Sequence, residues 1–339
     1  MSTVGTPSLT NTDTQSTESY TAGRPSGAAR LLKKSLTTTH NTNYMKARYL
    51  LPLAALLLSA ALTACDDEGD GLPAPAVGGF DDYGATVDYF TVGSSTRVHF
   101  SRGNLQYNPS TDKWRLAEQQ YDCAGDANAE VSATYDGWID LFGWGTSGWN
   151  SGAVAYLPCD TSTNAADYRP GGSTTASLTG DFAQADWGQN PIANGGALGG
   201  MWRTLTADEW HYLLELRTDA PNKRGAATIA ATCRGIIIVP DGWVRPAGIA
   251  FTPEFTSYDV NSYTAEQWKT IEASGAIFLP AAGSRWGSNV SGVGAEGHYW
   301  SSSPYDENGA GNLYFNATSQ GAVYGHNRHL GYAVRLVRE

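Results

Sequence analysis

The C-terminal segment GHYWSSSPYDENGAGNLYFNATSQGAVYGHNRHLGYAVRLVRE (297–339) decides the fold class. It is rich in Tyr, Trp, Asn, His, Ser and Gly, contains no Lys, and lacks a helical period of apolar residues. Three pieces of it, GHYWSSS, NLYFNA and YAVRLVR, have the composition of short strands separated by Gly-rich turns. Because alternate residues of a strand face opposite sides, we expect Leu313 and Phe315 to face the core and Tyr314 to face outward.

The sequence before this segment predicts only two helices. In WRTLTADEWHYLLELR (202–217), Thr206 can cap the helix, and Glu209, three residues later, completes a capping box. The predicted apolar face of this helix consists of Trp210, Leu213, Leu214 and Leu216. The stretch TAEQWKTIEASG (264–275) predicts a second short helix capped by Thr264.

The remaining sequence predicts short strands and long loops. Residues 88–108 alternate between apolar and polar types around turns, which predicts a β-hairpin, and 233–243 and 276–285 predict buried strands. The Trp-rich and Gly-rich stretch 136–150 predicts a loop that its aromatic residues hold in the core, and 150–200 predicts long loops. Two helices among many short strands indicate an α+β domain.

Three motifs, in this order, resemble one fold family. WRTLTADEW (202–210) resembles the helix start of the formylglycine-generating-enzyme branch of the C-type lectin fold. GHYWSSS (297–303) and GYAVRLVR (331–338) resemble strands of the related Fibrobacter-type paralogous domains, and VHFSRGNLQYNP and GWIDLFGWGTSG resemble Bacteroides-group lipoproteins of this type. The resemblance covers most of residues 86–339. It implies a C-type-lectin-like ligand-binding domain with two short helices, many short antiparallel strands and long loops.

The same fold carries the variable proteins of diversity-generating retroelements, whose C-terminal region is rewritten at adenine-containing codons on one exposed face. The Tyr, Asn, His, Ser and Gly of the C-terminal segment resemble such a face, and this chemistry also serves antibody paratopes. The resemblance implies these ligand-binding residues: Trp286, Asn289, His298, Tyr305, Asn308, Asn312, Tyr314, Asn316, Tyr324, His326, Asn327 and His329. It implies that the frame residues are held in strands; they are Gly297, Tyr299, Trp300, Ser301, Gly331, Val334, Arg335 and Leu336. The alternative is that all of them are ordinary loop and strand residues of a fixed surface domain.

The N-terminal part resembles a lipoprotein precursor. Residues 1–44, rich in Ser, Thr and Asn, predict a disordered segment, or an untranslated one if Met45 is the true start. Two basic residues, an apolar run and the sequence LTAC resemble a bacterial lipobox, which implies a signal peptide at 45–64 and lipidation of Cys65. The acidic cluster that follows resembles a surface-export signal, and 65–85 reads as a lipidated flexible tether. The alternative for 45–64 is an ordinary signal peptide or a short buried helix. The alternative for the acidic cluster is a plain solvated linker.

Several kinds of chemistry find little support in the sequence. A net charge of −11 argues against a nucleic-acid partner, which requires a basic face. The remaining cysteines, Cys123, Cys159 and Cys233, show no C-x-x-C spacing; an exported protein permits one disulfide, whose pairing stays open. No Cys follows Cys233, where the enzyme branch places its catalytic pair. The two His of HNRH (326–329) lie at i, i+3 and could share a metal on a helix, but in a glycine-flanked loop we expect them to be surface residues. The stretch DENGAGN (306–312) lacks the spacing of a calcium loop and predicts a solvated turn. We expect no metal, cofactor or catalytic residue.

These observations lead to three hypotheses. In the first, the protein is an outer-membrane, cell-surface lipoprotein that contacts the membrane only through its lipid anchor. Its C-terminal face binds a protein or glycan ligand on another cell or a phage. In the second, the protein is a fixed adhesin or fimbria-associated component. In the third, it is an enzyme of the formylglycine-generating type. A reverse transcriptase gene and a near-copy of the gene's 3′ end would single out the diversified form of the first hypothesis.

Overall fold

The computed structural model describes residues 79–161 and 163–339 of the protein. The segment 1–44, the signal peptide predicted at 45–64 and the lipidation site Cys65 lie outside the described residues. Within the described part of the chain, no helix is long and apolar enough to cross a membrane.

Residues 79–85, which the sequence analysis places in the tether, contact the domain. Ala85 is fully buried. Phe80 forms a β-bridge with Thr86, and Asp81 forms an ion pair with Arg338 near the C-terminus. The flexible tether therefore does not extend to residue 85.

The domain has a mixed α+β architecture dominated by short antiparallel strands. In the described residues the strands are β1 (Phe90–Thr91), β2 (Arg97–Phe100), β3 (Leu105–Asn108), β4 (Lys113–Leu116), β5 (Arg203–Thr204), β6 (Arg224–Ile229), β7 (Cys233–Ile238), β8 (Ser262–Tyr263), β9 (Ile277–Pro280), β10 (Ser284–Trp286), β11 (Asn289–Ser291), β12 (Glu296–Pro304), β13 (Gly309–Asn316), β14 (Gln320–Asn327) and β15 (Leu336–Arg338). The predicted α+β class is confirmed.

These strands form three sheets and two separate hairpins. One sheet has the order β1-β2-β15-β5, so the last strand of the chain pairs with one of the first. A second sheet has the order β8-β6-β7-β9, with β6 and β8 parallel and the other pairs antiparallel. The third sheet has the order β12-β13-β14, and the hairpins are β3–β4 and β10–β11. The hairpin predicted at 88–108 is confirmed for β1 and β2, whereas β3 pairs with β4 instead.

The two predicted helices are present and are short. Helix α1 (Ala207–His211) continues as a π-helical turn (Tyr212–Leu216), and α2 spans Ala265–Ala273. Both begin with capping boxes, formed by Thr206 with Glu209 and by Thr264 with Gln267. Single 3₁₀ turns lie at Gly125–Ala129, Ala165–Tyr168, Pro170–Gly172, Gly180–Ala185, Trp187–Gln189, Ala220–Lys223 and Tyr258–Val260.

One residue of the predicted apolar helix face is misplaced. Trp210, Leu213 and Leu214 are fully buried, as expected, but Leu216 is 58% exposed. The π-helical turn that follows α1 holds more residues per turn than an α-helix. Even at the about 100° per residue of an α-helix, Leu216 lies on the side opposite Leu214, so the prediction for Leu216 is wrong.

The C-terminal sheet lies between two hydrophobic clusters. Leu313 and Phe315 belong to one cluster, together with Trp210 of α1. Trp300 belongs to the other cluster. Tyr314 is only half-buried, so the predicted alternation along β13 is confirmed.

The closing strand and its neighbour differ from expectation. The predicted strand YAVRLVR is regular only at β15, and Tyr332 and Ala333 form isolated β-bridges to other segments. Strand β14 was not predicted, because Gly321 and Gly325 lower the strand propensity of its sequence. Its pairing with β13 completes the sheet that carries the candidate site.

Candidate ligand-binding face

The pairing of β12, β13 and β14 brings several predicted site residues together. His298 lies opposite Tyr314, and Asn312 lies opposite Tyr324. The register then shifts, because Tyr314 pairs with Gly321. Strand β14 thus contains one residue more than β13 over this interval, which is a β-bulge of the kind that redirects side chains near sites.

We use the term aromatic face for a cluster of five ring side chains on this sheet: His298, Tyr314, Tyr324, His326 and Tyr332. His298 stacks on Tyr332, with ring centroids 4.3 Å apart and planes inclined by 12°. Tyr314 meets Tyr324 edge to face at 5.5 Å. The five rings border a cavity of about 420 Å³, whose wall is completed by Ser284, Glu296 and Leu330.

The histidine at the base of this cavity is held in its neutral form. His298 is only 6% exposed, and burial together with the nearby His326 lowers its pKa to about 4. Glu296 Oε1 lies 3.6 Å from His298 Nε2, beyond hydrogen-bonding distance. Burial outweighs the opposing effect of the Asn312 side chain on the pKa of His298. Burial also lowers the pKa of His326. Near neutral pH the cavity therefore presents uncharged imidazole nitrogens.

Asn312 supports the aromatic face from below. It is fully buried, and its Nδ2 donates to the Tyr324 carbonyl oxygen at 2.9 Å and lies 3.1 Å from His326 Nδ1. The expectation that Asn312 and His298 lie on an exposed surface is therefore wrong for both. They lie beneath the exposed rings because the side chains of β14 fold over this side of the sheet.

Two glycines of β14 leave room for tyrosine rings. A Cβ atom on Gly325 would lie 2.0 Å from the ring of Tyr305, and one on Gly321 would lie 2.6 Å from the ring of Tyr324. Both distances are well below van der Waals contact, so any side chain at these positions would displace a tyrosine. The position of each ring therefore depends on a glycine beneath it.

A second concavity, which we term the arginine cavity, lies beside the end of β14. It has a volume of about 310 Å³ and is lined by Asp160, Thr161, Thr163, Ala165, Tyr168, Arg169, Asn308, Asn327, Arg328 and His329. Three of the predicted site residues, Asn308, Asn327 and His329, are thus brought together here. The exposed ring of Trp286 lies 6.3 Å from that of His329.

The other predicted residues occupy separate places. Tyr305 is 57% exposed and borders a third, smaller cavity with Thr174 and Thr175. Asn289 is exposed on the β10–β11 hairpin. Asn316 shapes the turn between β13 and β14, where its Oδ1 accepts hydrogen bonds from the following backbone. The twelve residues are therefore divided among the aromatic face, the arginine cavity, the smaller cavity at Tyr305 and isolated positions, rather than forming one continuous surface.

Sequence reasoning missed several residues of both cavities. Tyr332 stacks on His298, although the sequence analysis places its segment in the closing strand. Arg328 lies between two predicted site residues, and Arg169 lies in a stretch that predicts only loops. The residue types around Arg328 offered a signal, whereas the contact of Arg169 with Asn308 joins positions 139 residues apart and has no local signature.

In residues 79–161 and 163–339, no group of three or more His, Cys, Asp or Glu side chains is placed to hold a metal ion. Cys123, Cys159 and Cys233 are free thiols. Burial raises the pKa of Cys123 to about 12, so this thiol stays protonated and weakly nucleophilic near neutral pH.

Comparisons of the chain with protein-family models, with curated proteins and with solved structures gave no match.

Proposed function

We propose that the protein is a lipid-anchored surface protein whose C-type-lectin-like domain binds a protein or glycan ligand of another cell or a phage. The aromatic face is the proposed contact surface. The observation that carries this proposal is a cluster of Tyr and His rings around a cavity of about 420 Å³, in which Tyr324 is exposed and Tyr314 and His326 are half-buried. Below it, fully buried Trp300 and Leu313 fix the strands. An accessible aromatic cluster on a rigid support suits recognition.

The polar atoms of the aromatic face support binding of a ligand with hydrogen-bonding groups. The Nδ1 atom of His298 is buried and has no hydrogen-bond partner in the described residues. A buried polar atom without a partner typically costs about 1–3 kcal/mol. A ligand group that reached this nitrogen would recover part of that free energy. Tyrosine rings add contact area at low entropic cost.

The proposed C-type-lectin-like type of the fold rests on the sequence motifs and on where they lie. The motif WRTLTADEW leads into α1 through a capping box, and GHYWSSS lies in β12. GYAVRLVR ends in β15, beside β2 and β5. The retroelement-diversified form of the protein and the fixed adhesin share this fold. They differ in whether the gene is accompanied by a reverse transcriptase gene and a near-copy of its 3′ end.

Binding can be tested with the full chain in detergent, labelled and applied to arrays of glycans and of surface proteins. The Tyr314→Ser/Tyr324→Ser variant should lose the captured ligand with little change in melting temperature, because both rings lie at the surface of the sheet. The matched control is Tyr83→Ser/Tyr89→Ser, since these tyrosines are 47% and 38% exposed and lie outside the aromatic face. Equal loss of binding in both variants would refute the assignment of this face.

The proposed anchor has an independent test. Cys65→Ala should abolish incorporation of labelled palmitate, since the sequence before this residue resembles a lipobox. Stable membrane attachment requires more than one acyl chain, so the variant should also leave the membrane fraction. Equal labelling of the variant and the wild type would contradict the lipoprotein proposal. Copper-dependent oxidation of a thiol peptide would instead favour the enzyme alternative.

A further inference from the structure

The arginine cavity differs from the aromatic face in its charge. Its volume of about 310 Å³ lies at the lower end of the range of roughly 300–1,000 Å³ for small-molecule sites. A single monosaccharide unit is of suitable size. Two arginines, Arg169 and Arg328, line the cavity together.

Arg328 is rigidly held and has one unused donor group. It is only 2% exposed, and its guanidinium lies 4.7 Å from the ring centre of Trp144. Its Nε donates to the Gly309 carbonyl oxygen at 3.0 Å, and its Nη2 donates to the carbonyl oxygens of Thr174 and Asp306. The buried Nη1 has no hydrogen-bond partner in the described residues. A fixed guanidinium with an unused N–H group can donate a hydrogen bond to an acceptor on a ligand.

Arg169 adds a second cation, and its guanidinium donates to uncharged groups. Its Nη2 donates to Asn308 Oδ1 at 2.7 Å and to the Glu307 carbonyl oxygen at 3.2 Å. Among the residues that the structure describes, neither Arg169 nor Arg328 forms an ion pair with a carboxylate. Burial and the charge of Arg169 also lower the pKa of Arg328, to about 10. An anion bound near both arginines would offset this desolvation and repulsion.

Other buried arginines do not suggest a binding site. Arg285 donates to the carbonyl oxygens of Asn128 and Leu157, and Arg335 donates to Gln120 Oε1. Neither of these arginines lines the arginine cavity or the aromatic face. An arginine that is buried without a carboxylate is thus common in this domain, and the distinctive feature is the pair of arginines at an open cavity.

The rest of the cavity wall suits a sugar ring. The exposed Asn327 side chain makes no hydrogen bond to the described residues, and Asn308 retains its Nδ2 donor groups. Asp160 also lines the cavity and can accept hydrogen bonds from hydroxyl groups, while its charge disfavours a ligand with several negative charges. The 58% exposed ring of Trp286, close to His329, provides an apolar surface at the rim. These features favour a singly charged sugar over a phosphate or a strongly acidic peptide.

We infer that the arginine cavity binds a hexuronic acid unit of a glycan, with the sugar carboxylate at Arg169 and Arg328 and its hydroxyl groups at the asparagines and Asp160. This inference builds on the proposed ligand-binding function and specifies one class of ligand for it. It requires no metal and no covalent step.

The test is calorimetric titration of the full chain in detergent at low salt with glucuronate, galacturonate, glucose and a diaspartate peptide. At least one uronate should bind at least about tenfold more tightly than glucose, since a charge-assisted hydrogen bond contributes roughly 1.5–3 kcal/mol. Arg169→Gln should weaken uronate binding by a similar factor. The matched control is Arg97→Gln, which removes an exposed arginine of β2 and should leave binding unchanged.

Three results would overturn the inference. They are equal affinity for glucose and the uronates, unchanged uronate binding in Arg169→Gln, and binding of the diaspartate peptide but not of the uronates. Arg328→Lys gives a second measure, read beside its melting temperature because Arg328 also holds backbone carbonyl groups. The Tyr314→Ser/Tyr324→Ser variant should keep uronate binding. Its loss of array ligands is scored separately, so failure of the uronate site is distinguishable from failure of the aromatic face.

Discussion

Replacing His298 with Gln should make the stability of the domain less sensitive to acid. The folded protein keeps this imidazole neutral, with a pKa of about 4, whereas an unfolded chain has the ordinary value of about 6.5. Between these two values the unfolded state binds more protons than the folded state. Stability therefore falls as the pH decreases from about 6.5 to about 4, and the contribution of His298 is fully present only above that interval.

The size of the effect follows from the difference between the two pKa values. Each unit of difference corresponds to about 1.4 kcal/mol, so the whole interval amounts to about 3 kcal/mol. About 2 kcal/mol of this is lost between about pH 7 and about pH 5. Two buried carboxylates oppose the trend, because burial raises the pKa values of Asp140 and Asp186 to about 6. Both groups bind protons more readily in the folded state, so lowering the pH over the same interval stabilises the folded protein through them.

The assay therefore compares how much the free energy of unfolding changes with pH in the wild type and in the variant. Urea unfolding of the wild type and of His298→Gln is measured at about pH 7 and about pH 5, and the change between the two pH values is compared. Any pH-independent loss from the substitution cancels, as do the contributions of Asp140 and Asp186. The wild type should lose about 2 kcal/mol more than the variant. His99→Gln serves as the control, since His99 lies on β2 outside the cluster. Equal changes in the wild type and in His298→Gln would refute the neutral buried imidazole.

Three further predictions concern the stability of the domain. Trp300→Ala should destabilise the domain by about 3–5 kcal/mol in urea melts, because the ring is fully buried and its Nε1 donates to the Phe142 carbonyl oxygen at 2.7 Å; a loss below about 1 kcal/mol would exclude it from the core. Thr206→Ala should cost about 1 kcal/mol through the lost N-cap, and a melt unchanged from the wild type would contradict that role. Leu216→Ser should change the melting temperature little while Leu213→Ser lowers it strongly, and the reverse order would contradict the burial of Leu213 and the exposure of Leu216.

Much of the fold could be predicted from local sequence. Capping boxes lie within four residues, so Thr206 and Thr264 indicated both helix starts correctly. The alternation in NLYFNA placed Leu313 and Phe315 in the core for the same reason. The burial of Asn312 depends on side chains of β14 that fold over it, and no short-range pattern encodes that.

The candidate site could be predicted only in part, because some of its contacts join residues far apart in sequence. Residue types near the C-terminus pointed to the rings of the aromatic face, since Tyr and His are visible in the sequence itself. Arg169 contacts Asn308, which is far away in sequence. Tyr332, which lies outside the regular strands, stacks on His298. Such contacts arise from tertiary packing and leave no local pattern in the sequence.

The glycines beneath the tyrosine rings have a consequence at the level of the genetic code. Every glycine codon begins with two guanines and the tryptophan codon is TGG, so replacing adenines cannot change Gly321, Gly325 or Trp300. Tyrosine and histidine codons carry adenine in their second position, so Tyr324 and His326 would vary. Under adenine-directed rewriting, the positions that locate the rings would thus be protected while the rings themselves were exchanged. Asn312 and Tyr299, whose codons contain adenines yet whose side chains are fully buried, would be positions where new variants fail to fold.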